Sequence, residues 1–260
     1  LDTILLRNCR CEDNQEAFDT VIQAYKISEI VMLPSMVIID AFFSSHFIEP
    51  MEVPDQVAVD RFLPKAALPE RFDIENPTFV SNVVTTGSQF MPFRKRGFDD
   101  MENAKTVIKK VDKEFEEHFG RRYGMVEAVQ TEDAQLVLVT SGSMTSTARV
   151  AVDSLRNKGL KIGLLKIKTF RPFPSGEIKS ALQGVAKVAV VDRNISLGNE
   201  GIFCQELKSS LYNSDIRPPV YGFIAGLDGL DVSPDTLEGI AMEVMGKDEP
   251  NDLPVWIGGS

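Results

Sequence analysis

The sequence predicts an α/β protein whose larger part is a doubly wound parallel sheet. Three observations carry this. From Ala134 onward, apolar runs of strand length alternate with helical stretches. The runs are apolar throughout, as strands are when both faces are covered by helices. Turn residues separate each pair, so every connection has the length of a helical crossover, which is right-handed between parallel strands.

Taken in order, residues 12–28 (EDNQEAFDTVIQAYKIS) read as an amphipathic helix. Asp13 or Asn14 caps it, and Glu16 favours its N-terminal dipole. Ala17, Val21, Ala24, Tyr25 and Ile27 give the apolar side. Residues 31–40 (VMLPSMVIID) follow as a buried strand. Residues 41–64, with Pro50, Pro54 and Pro64, have no period and read as irregular, as do residues 65–92. Passages of this length in a compact domain are usually functional or bind a partner. Residues 97–118 predict a charged helix on the surface or between domains.

After Glu132 comes the alternation itself. AQLVLVTSGSMTSTARVAVDSLRNKGLKIGLLKIKTFRPFP gives strand, loop, helix, glycine turn and strand. SGEIKSALQGVAKVAVVDRN adds a helix and a strand, GIFCQELKSSLYN a helix, and PPVYGFIAGL a strand. SPDTLEGIAMEVMG closes with a helix started by Ser233-Pro234. The expected organisation is therefore a first unit over 1–95, a connecting helix and linker over 96–131, and the parallel-sheet domain over 132–260.

Composition excludes several classes of function. The 260 residues are 43% hydrophobic and 25% charged, an ordinary globular balance, with net charge -10. Nucleic acid and anionic membranes attract basic surfaces, so neither is an expected partner. No apolar run reaches the roughly 18 residues of a spanning helix. Three cysteines, Cys9, Cys11 and Cys204, fit a reducing cytoplasm better than a disulfide framework. Cys9-x-Cys11, with only His46 and His118 to help, is not a metal signature, so no metal site is expected within the chain. The chain opens at Leu1 and reads as a fragment or a processed chain.

Four places can carry chemistry. TSGSMTST (140–147) puts hydroxyls around a helix N-terminus, where they either hold an anion or simply cap the helix. VVDRNISLGNEG (190–201) ends a strand. Asp192 and Arg193 can pair there, and Gly198 and Gly201 permit turns. FFSSHFIEP (42–50) contains Ser45 and His46 but no nucleophile elbow, which argues against a serine hydrolase. His46 is either a substrate contact or a hydrogen-bonded organiser of its loop. In TFRPFP, two prolines force the chain off the sheet. Arg171 then sits on a stiff loop suited to a carboxylate or phosphate, with Phe173 as an apolar anchor.

These same stretches carry a family resemblance. SGSMTSTARVAVDSLRNKGLKIGLLKIKTFRPFPSGEI, VAVVDRNISLGNEG and RPPVYGFIAGLDGLDVSP resemble the second domain of the α subunit of pyruvate:ferredoxin oxidoreductase. EDNQEAFDTVIQAYKISE, MVIIDAFFSSHFIEPMEVPDQ and DDMENAKTVIKKVDKEF resemble the same subunit upstream, in the same order. The resemblance implies the latter part of a pyrimidine-type thiamine-binding domain followed by a transketolase C-terminal-like domain. It implies a subunit that is not catalytic alone, in a cytoplasmic complex with beta-, gamma- and delta-type subunits. That complex converts pyruvate and CoA to acetyl-CoA and CO2, reversibly, with electrons passing to ferredoxin. Thiamine diphosphate, Mg2+ and [4Fe-4S] clusters would be held mainly by partner chains.

The departures from the family pattern matter too. The carboxylate for the pyrimidine ring and a substrate arginine belong to a portion preceding Leu1. The diphosphate–Mg2+ motif and the cluster cysteines are absent. Around LLRNCRCEDNQEAF, a few residues of the kind RDTGW are missing. A polar loop with Arg7, Asn8, Arg10 and Asn14 would suit oxalate, whose oxidoreductase is a relative that needs no CoA. Asn14, Gln15, Arg7, Arg10, Ser45 and His46 are the expected substrate contacts, with no catalytic or metal residue in the chain. Arg171, Phe173, Asp192 and Arg193 are expected to organise loops and interfaces. Two competing readings remain: a non-catalytic dimerisation or scaffold module, and the C-terminal part of a lipoamide-linked dehydrogenase.

Overall fold

The structure, a computed structural model, describes residues 7–63, 65, 74–75, 77 and 87–258. In chain order the elements are β1 (Arg7–Arg10), α1 (Asn14–Val31), β2 (Ser35–Ile38), α2 (Gln56–Phe62), α3 (Gly87–Phe119), β3 (Val126–Val129), β4 (Leu136–Thr140) and α4 (Met144–Asn157). There follow β5 (Ile162–Ile167), β6 (Thr169–Arg171), α5 (Ser175–Ala181), β7 (Lys187–Asp192), α6 (Ile202–Tyr212), β8 (Val220–Ile224), α7 (Pro234–Met245) and β9 (Val255–Trp256).

The large sheet has the order β3-β5-β4-β7-β8-β9. The five strands from β5 to β9 run parallel, and β3 is an antiparallel edge. Period-two geometry gives its inner strands apolar residues on both faces. Leu136, Leu138, Ile162, Leu164, Ala189 and Val191 face α4 and α7. Their neighbours Val137, Val139, Leu165, Ile167, Val188 and Val190 face α5 and α6. Each strand thus feeds two cores. The chain leaves β4 toward β5 and leaves β7 toward β8. The strand order therefore reverses between β4 and β7, and the crevice beyond their carboxyl ends is the usual place for a ligand in such sheets.

A second sheet, β2-β1-β6, explains the arginine–proline stretch. After β5 the chain does not leave sheet structure; it changes sheets. Thr169 and Arg171 pair antiparallel with Cys9 and Asn8, and Arg10 N–H donates to Lys168 O at 2.8 Å. Pro172 then ends the pairing, since it has no N–H to give. A third core joins α1 to α3 through Ile22, Ile27, Ile108, Val111 and Phe115, closed by Phe62 of α2.

Three expectations need correction. The strand read over 31–40 is β2 at Ser35–Ile38, because α1 continues through Val31 and ends on Met32 in the left-handed region. The irregular passage 41–64 contains α2, capped by the Asp55 carboxylate on Val57 N. The charged helix starts ten residues earlier than read, at Gly87, and carries Pro92 inside it. Pro92 removes one N–H near the helix start but does not end the helix.

Candidate functional site

The site is built where α1, β2 and the loop 41–55 meet the ends of the large sheet. Asp13 caps α1, its Oδ1 accepting from Glu16 N at 2.7 Å. This sets Asn14 and Gln15 on the first turn, facing the loop. Asn14 N donates to Glu49 Oε2 at 3.2 Å. Gln15 makes two bonds with one backbone residue: Oε1 accepts from Glu52 N at 2.6 Å and Nε2 donates to Glu52 O at 3.1 Å. Between α1, β2 and the loop lies an open groove of about 570 Å³. Ala17, Val21, Val37, Ile39, Phe47 and Ile48 wall it, with Asn14 and Glu49 as its polar lining. Ser45 Oγ and His46 Nδ1 share a 2.8 Å hydrogen bond on the exposed part of the loop, and Phe42 stacks on the imidazole.

Not all the expected contacts gather here. Asn14 and Gln15 both hold the loop that carries Ser45 and His46. Arg10 turns elsewhere, its guanidinium 5.5 Å from the centre of the Phe203 ring. Arg7 is placed in β1 by its backbone, and its side chain lies outside the described part. Arg171 pairs with Glu206 of α6 at 2.5 Å and lies over Phe170, while Phe173 packs against the α5–α6 core.

The β4–β7 crevice is filled from within. Asp40, just past β2, accepts from Ser143 N and Ser143 Oγ through Oδ2, both at 2.8 Å. Arg193 Nη1 donates to Ser143 Oγ at 3.0 Å and lies 3.5 Å from Asp40. The hydroxyl-rich turn before α4 therefore holds an anion, and the anion is a carboxylate of this chain. Asp192 and Arg193 do not pair with each other. Asp192 turns inward and accepts from Phe203 N, Cys204 N and Asn194 Nδ2, all at 3.0 Å, supplying the α6 cap that Gly201 lacks. Burial pushes the Asp192 carboxyl up to about 6, against the pull of the two backbone N–H groups. Asp192→Asn places an amide donor where an acceptor is needed. Denaturant unfolding is expected to show a loss of about 1–3 kcal/mol.

Sequence reading missed the most heavily charged feature. Lys166, on β5, donates to Glu12 Oε2 at 2.8 Å and to Glu16 at 2.9 and 3.0 Å, with all three side chains buried. Arg149 of α4 donates to both Glu12 oxygens at 2.9 Å and reaches Glu127. Lys168 lies 3.3 Å from Glu16 and over the Tyr123 ring. Burial pushes the Glu12 carboxyl up, but Arg149 and Lys166 outweigh it and hold it down at about 2. The signal was present: two lysines inside an apolar run, IGLLKIKTF, must have partners, and Glu12 and Glu16 stand one helical turn apart. A further buried carboxylate, Asp19, accepts from Arg121 at 2.6 and 3.1 Å and from the Tyr123 hydroxyl at 2.6 Å. The three cysteines are buried, and burial raises the Cys11 thiol to about 12 and the Cys204 thiol well above its ordinary range. Neither has thiolate character at neutral pH.

Comparison with known proteins decides what kind of chain this is. Residues 8–113 match the family described as pyruvate flavodoxin/ferredoxin oxidoreductase, thiamine diP-bdg, and residues 134–237 match pyruvate:ferredoxin oxidoreductase core domain II. Pyruvate synthase subunit PorA of Methanothermobacter thermautotrophicus is 40% identical over 249 residues, covering 95% of this chain and 63% of the relative. The chain belongs to the 2-oxoacid:ferredoxin oxidoreductase family. Another family member, ketoisovalerate oxidoreductase subunit VorA of Pyrococcus horikoshii, is 42% identical over 235 residues, covering 90% of this chain and 59% of the relative. The chain thus spans about three fifths of the length of the curated relatives it matches. Among solved structures, the 2-oxoglutarate:ferredoxin oxidoreductase of Magnetococcus marinus superposes with a TM-score of 0.61. That superposition covers 92% of this chain and 42% of the other, at 16% identity, and the likeness is one of fold.

The cofactors the family implies fit the described residues only in part. Among the described residues, no group of three His, Cys, Asp or Glu side chains is placed to hold a metal ion. The groove offers an apolar wall for a ring, but its carboxylate, Glu49, already accepts from the Asn14 backbone. Among the described residues, no helix is long and apolar enough to cross a membrane.

Proposed function

We propose that this chain is the α-type subunit, or part of it, of a cytoplasmic 2-oxoacid:ferredoxin oxidoreductase that takes pyruvate and CoA to acetyl-CoA and CO2. The single observation that carries the reading is the 40% identity to a pyruvate synthase subunit across 95% of the chain. In the assembled enzyme, thiamine diphosphate supplies carbanion stabilisation at the carbon that loses CO2. Mg2+ and [4Fe-4S] clusters sit on beta-, gamma- or delta-type partner chains, and ferredoxin takes the electrons. This chain's part is positional. Asn14 and Gln15 fix the loop 41–55 against α1, and that loop presents Ser45 and His46 toward the 2-oxoacid. Arg171, Phe173, Asp192 and Arg193 hold the loops on which this arrangement rests.

A branched 2-oxoacid is the second reading, favoured by the 42% identity to a ketoisovalerate oxidoreductase subunit. Of the residues expected to meet the second carboxylate of oxalate, Arg10 lies over Phe203, while Asn14 lines the groove and bonds Glu49 and Phe47 O. The test of the subunit reading is anaerobic purification of the native complex. The chain is expected to travel with thiamine-containing and iron-containing partners in constant ratio, in a brown preparation. Purification of the chain alone, without thiamine or iron, would support a scaffold module instead.

A further inference from the structure

The loop 41–55 is tethered by groups from three separate places. Asn14 and Gln15 of α1 hold Glu49 and Glu52. Arg121, beyond α3, donates to Glu52 Oε2 at 2.8 Å. The third tether is different in kind, because it comes from the large sheet and acts at the root of the loop. There the Asp40 carboxylate enters a fitted recess made by the first turn of α4 and by Arg193. A Cβ on Gly142 would lie 2.5 Å from Asp40 Oδ2, and Gly142 has φ +66, so glycine is needed both for the approach and for the turn. The next residues follow the same seat. Phe43 lies under the Arg193 guanidinium at 4.5 Å, and a Cβ on Gly229 beyond β8 would meet the Phe42 ring at 3.5 Å. Asp40 and Arg193 are 12% and 16% exposed, so the contact is largely shielded from water and weakly screened.

We propose that Asp40 is a positioning residue for the 2-oxoacid reaction. Seated between the α4 N-terminus and Arg193, its carboxylate sets the place of the loop 41–55, and with it Ser45, His46 and one wall of the apolar groove. The inference rests on the function proposed above, and acts through the loop rather than by contact with substrate. It also gives the β4–β7 crevice a role: the position where an open α/β sheet takes a ligand is used here to grip a neighbouring loop.

The test uses the full complex carrying Asp40→Ala, assayed by 2-oxoacid-dependent reduction of viologen and, in parallel, by amide hydrogen exchange of residues 41–55. The expected kcat/KM falls by on the order of tenfold to a hundredfold, the range produced by a misplacement of about 1 Å. Exchange in the loop rises. Formate, a carboxylate small enough for the vacated recess, restores both saturably, while chloride at equal ionic strength does not. Arg193→Gln is expected to show the same loss without rescue by formate. Asp40→Asn keeps the shape but not the charge opposite Arg193 and covers the case in which the alanine variant does not assemble. It is expected to lose activity to a smaller degree. Wild-type turnover and exchange in an assembled Asp40→Ala complex, or indifference of both readouts to formate, would overturn the proposal. If the wild-type complex reduces no viologen with any 2-oxoacid, the proposed function fails, and loop exchange with and without formate still decides whether Asp40 is the latch.

Discussion

Replacing Lys166 by methionine is expected to lower the stability of the folded chain by about 3–5 kcal/mol, because it leaves two buried carboxylates without their shared cation. Methionine keeps most of the volume, so packing loss is minor and the effect is electrostatic. Glu12 retains Arg149, which is partly exposed, while Glu16 retains Lys168 at 3.3 Å. The pH dependence separates this from a packing defect. The ammonium of Lys166 is raised above its ordinary 10.5 by Glu16 and Glu12, against burial, so its contribution is complete below that value and fades only as pH rises past it. Glu12 is depressed from 4.5 to about 2, so its contribution is complete above 4.5 and fades as pH falls toward 2. The difference between wild type and Lys166→Met is therefore flat from about pH 5 to 10 and narrows in acid. Denaturant unfolding followed at Trp256, with pH as the variable, reads it. A difference independent of pH down to 3 would mean that the cluster contributes no net electrostatic stability.

Gly201→Ala is the second large effect, and its cause is steric. A Cβ there would meet Asp192 Oδ2 at 2.1 Å, Cγ at 2.3 Å and Cβ at 2.5 Å. The carboxylate cannot swing aside, since it is 1% exposed and accepts three hydrogen bonds. Either α6 shifts or its cap is lost, and each route is expensive. Overpacking together with a lost cap gives an expected destabilisation of about 3 kcal/mol or more. Gly184→Ala, where open space surrounds the site but φ is +79, serves as the control. It is expected to cost about 1 kcal/mol through backbone strain alone. Equal thermal midpoints for the two variants would show that Asp192 is not held as described.

The parallel-sheet part was legible because its signals were local and repeated. Continuous apolar runs, glycine turns and the Ser233-Pro234 start each report on a few neighbouring residues, and Ser233 does cap α7 by accepting from Thr236 N. The exchange of strand between sheets at Thr169–Arg171 was not legible, because its partner is β1, some 160 residues away. The prolines mislead in the other direction: Pro54 lies just before α2, and Pro92 lies inside α3. For the candidate site, residue types mark the turns but not the side chains that meet there. TSGSMTST reads as a place for an anion or a cap, and it holds Asp40, which in sequence is only the end of an apolar strand. Lys166 interrupts an apolar run, and its partners Glu12 and Glu16 lie 154 and 150 residues away in sequence. Lys166 on β5 and Glu16 on α1 join that helix to the large sheet.

The most direct measurement is turnover of the native complex, purified without oxygen. Reduction of ferredoxin or viologen would be followed with pyruvate, 2-ketoisovalerate, 2-oxoglutarate and oxalate in turn, each with and without CoA. The expected result is CoA-dependent reduction with pyruvate, and a weaker or competing rate with the branched acid. CoA-independent reduction with oxalate alone, or no reduction with any of the four by a complex that contains thiamine and iron, would contradict the account.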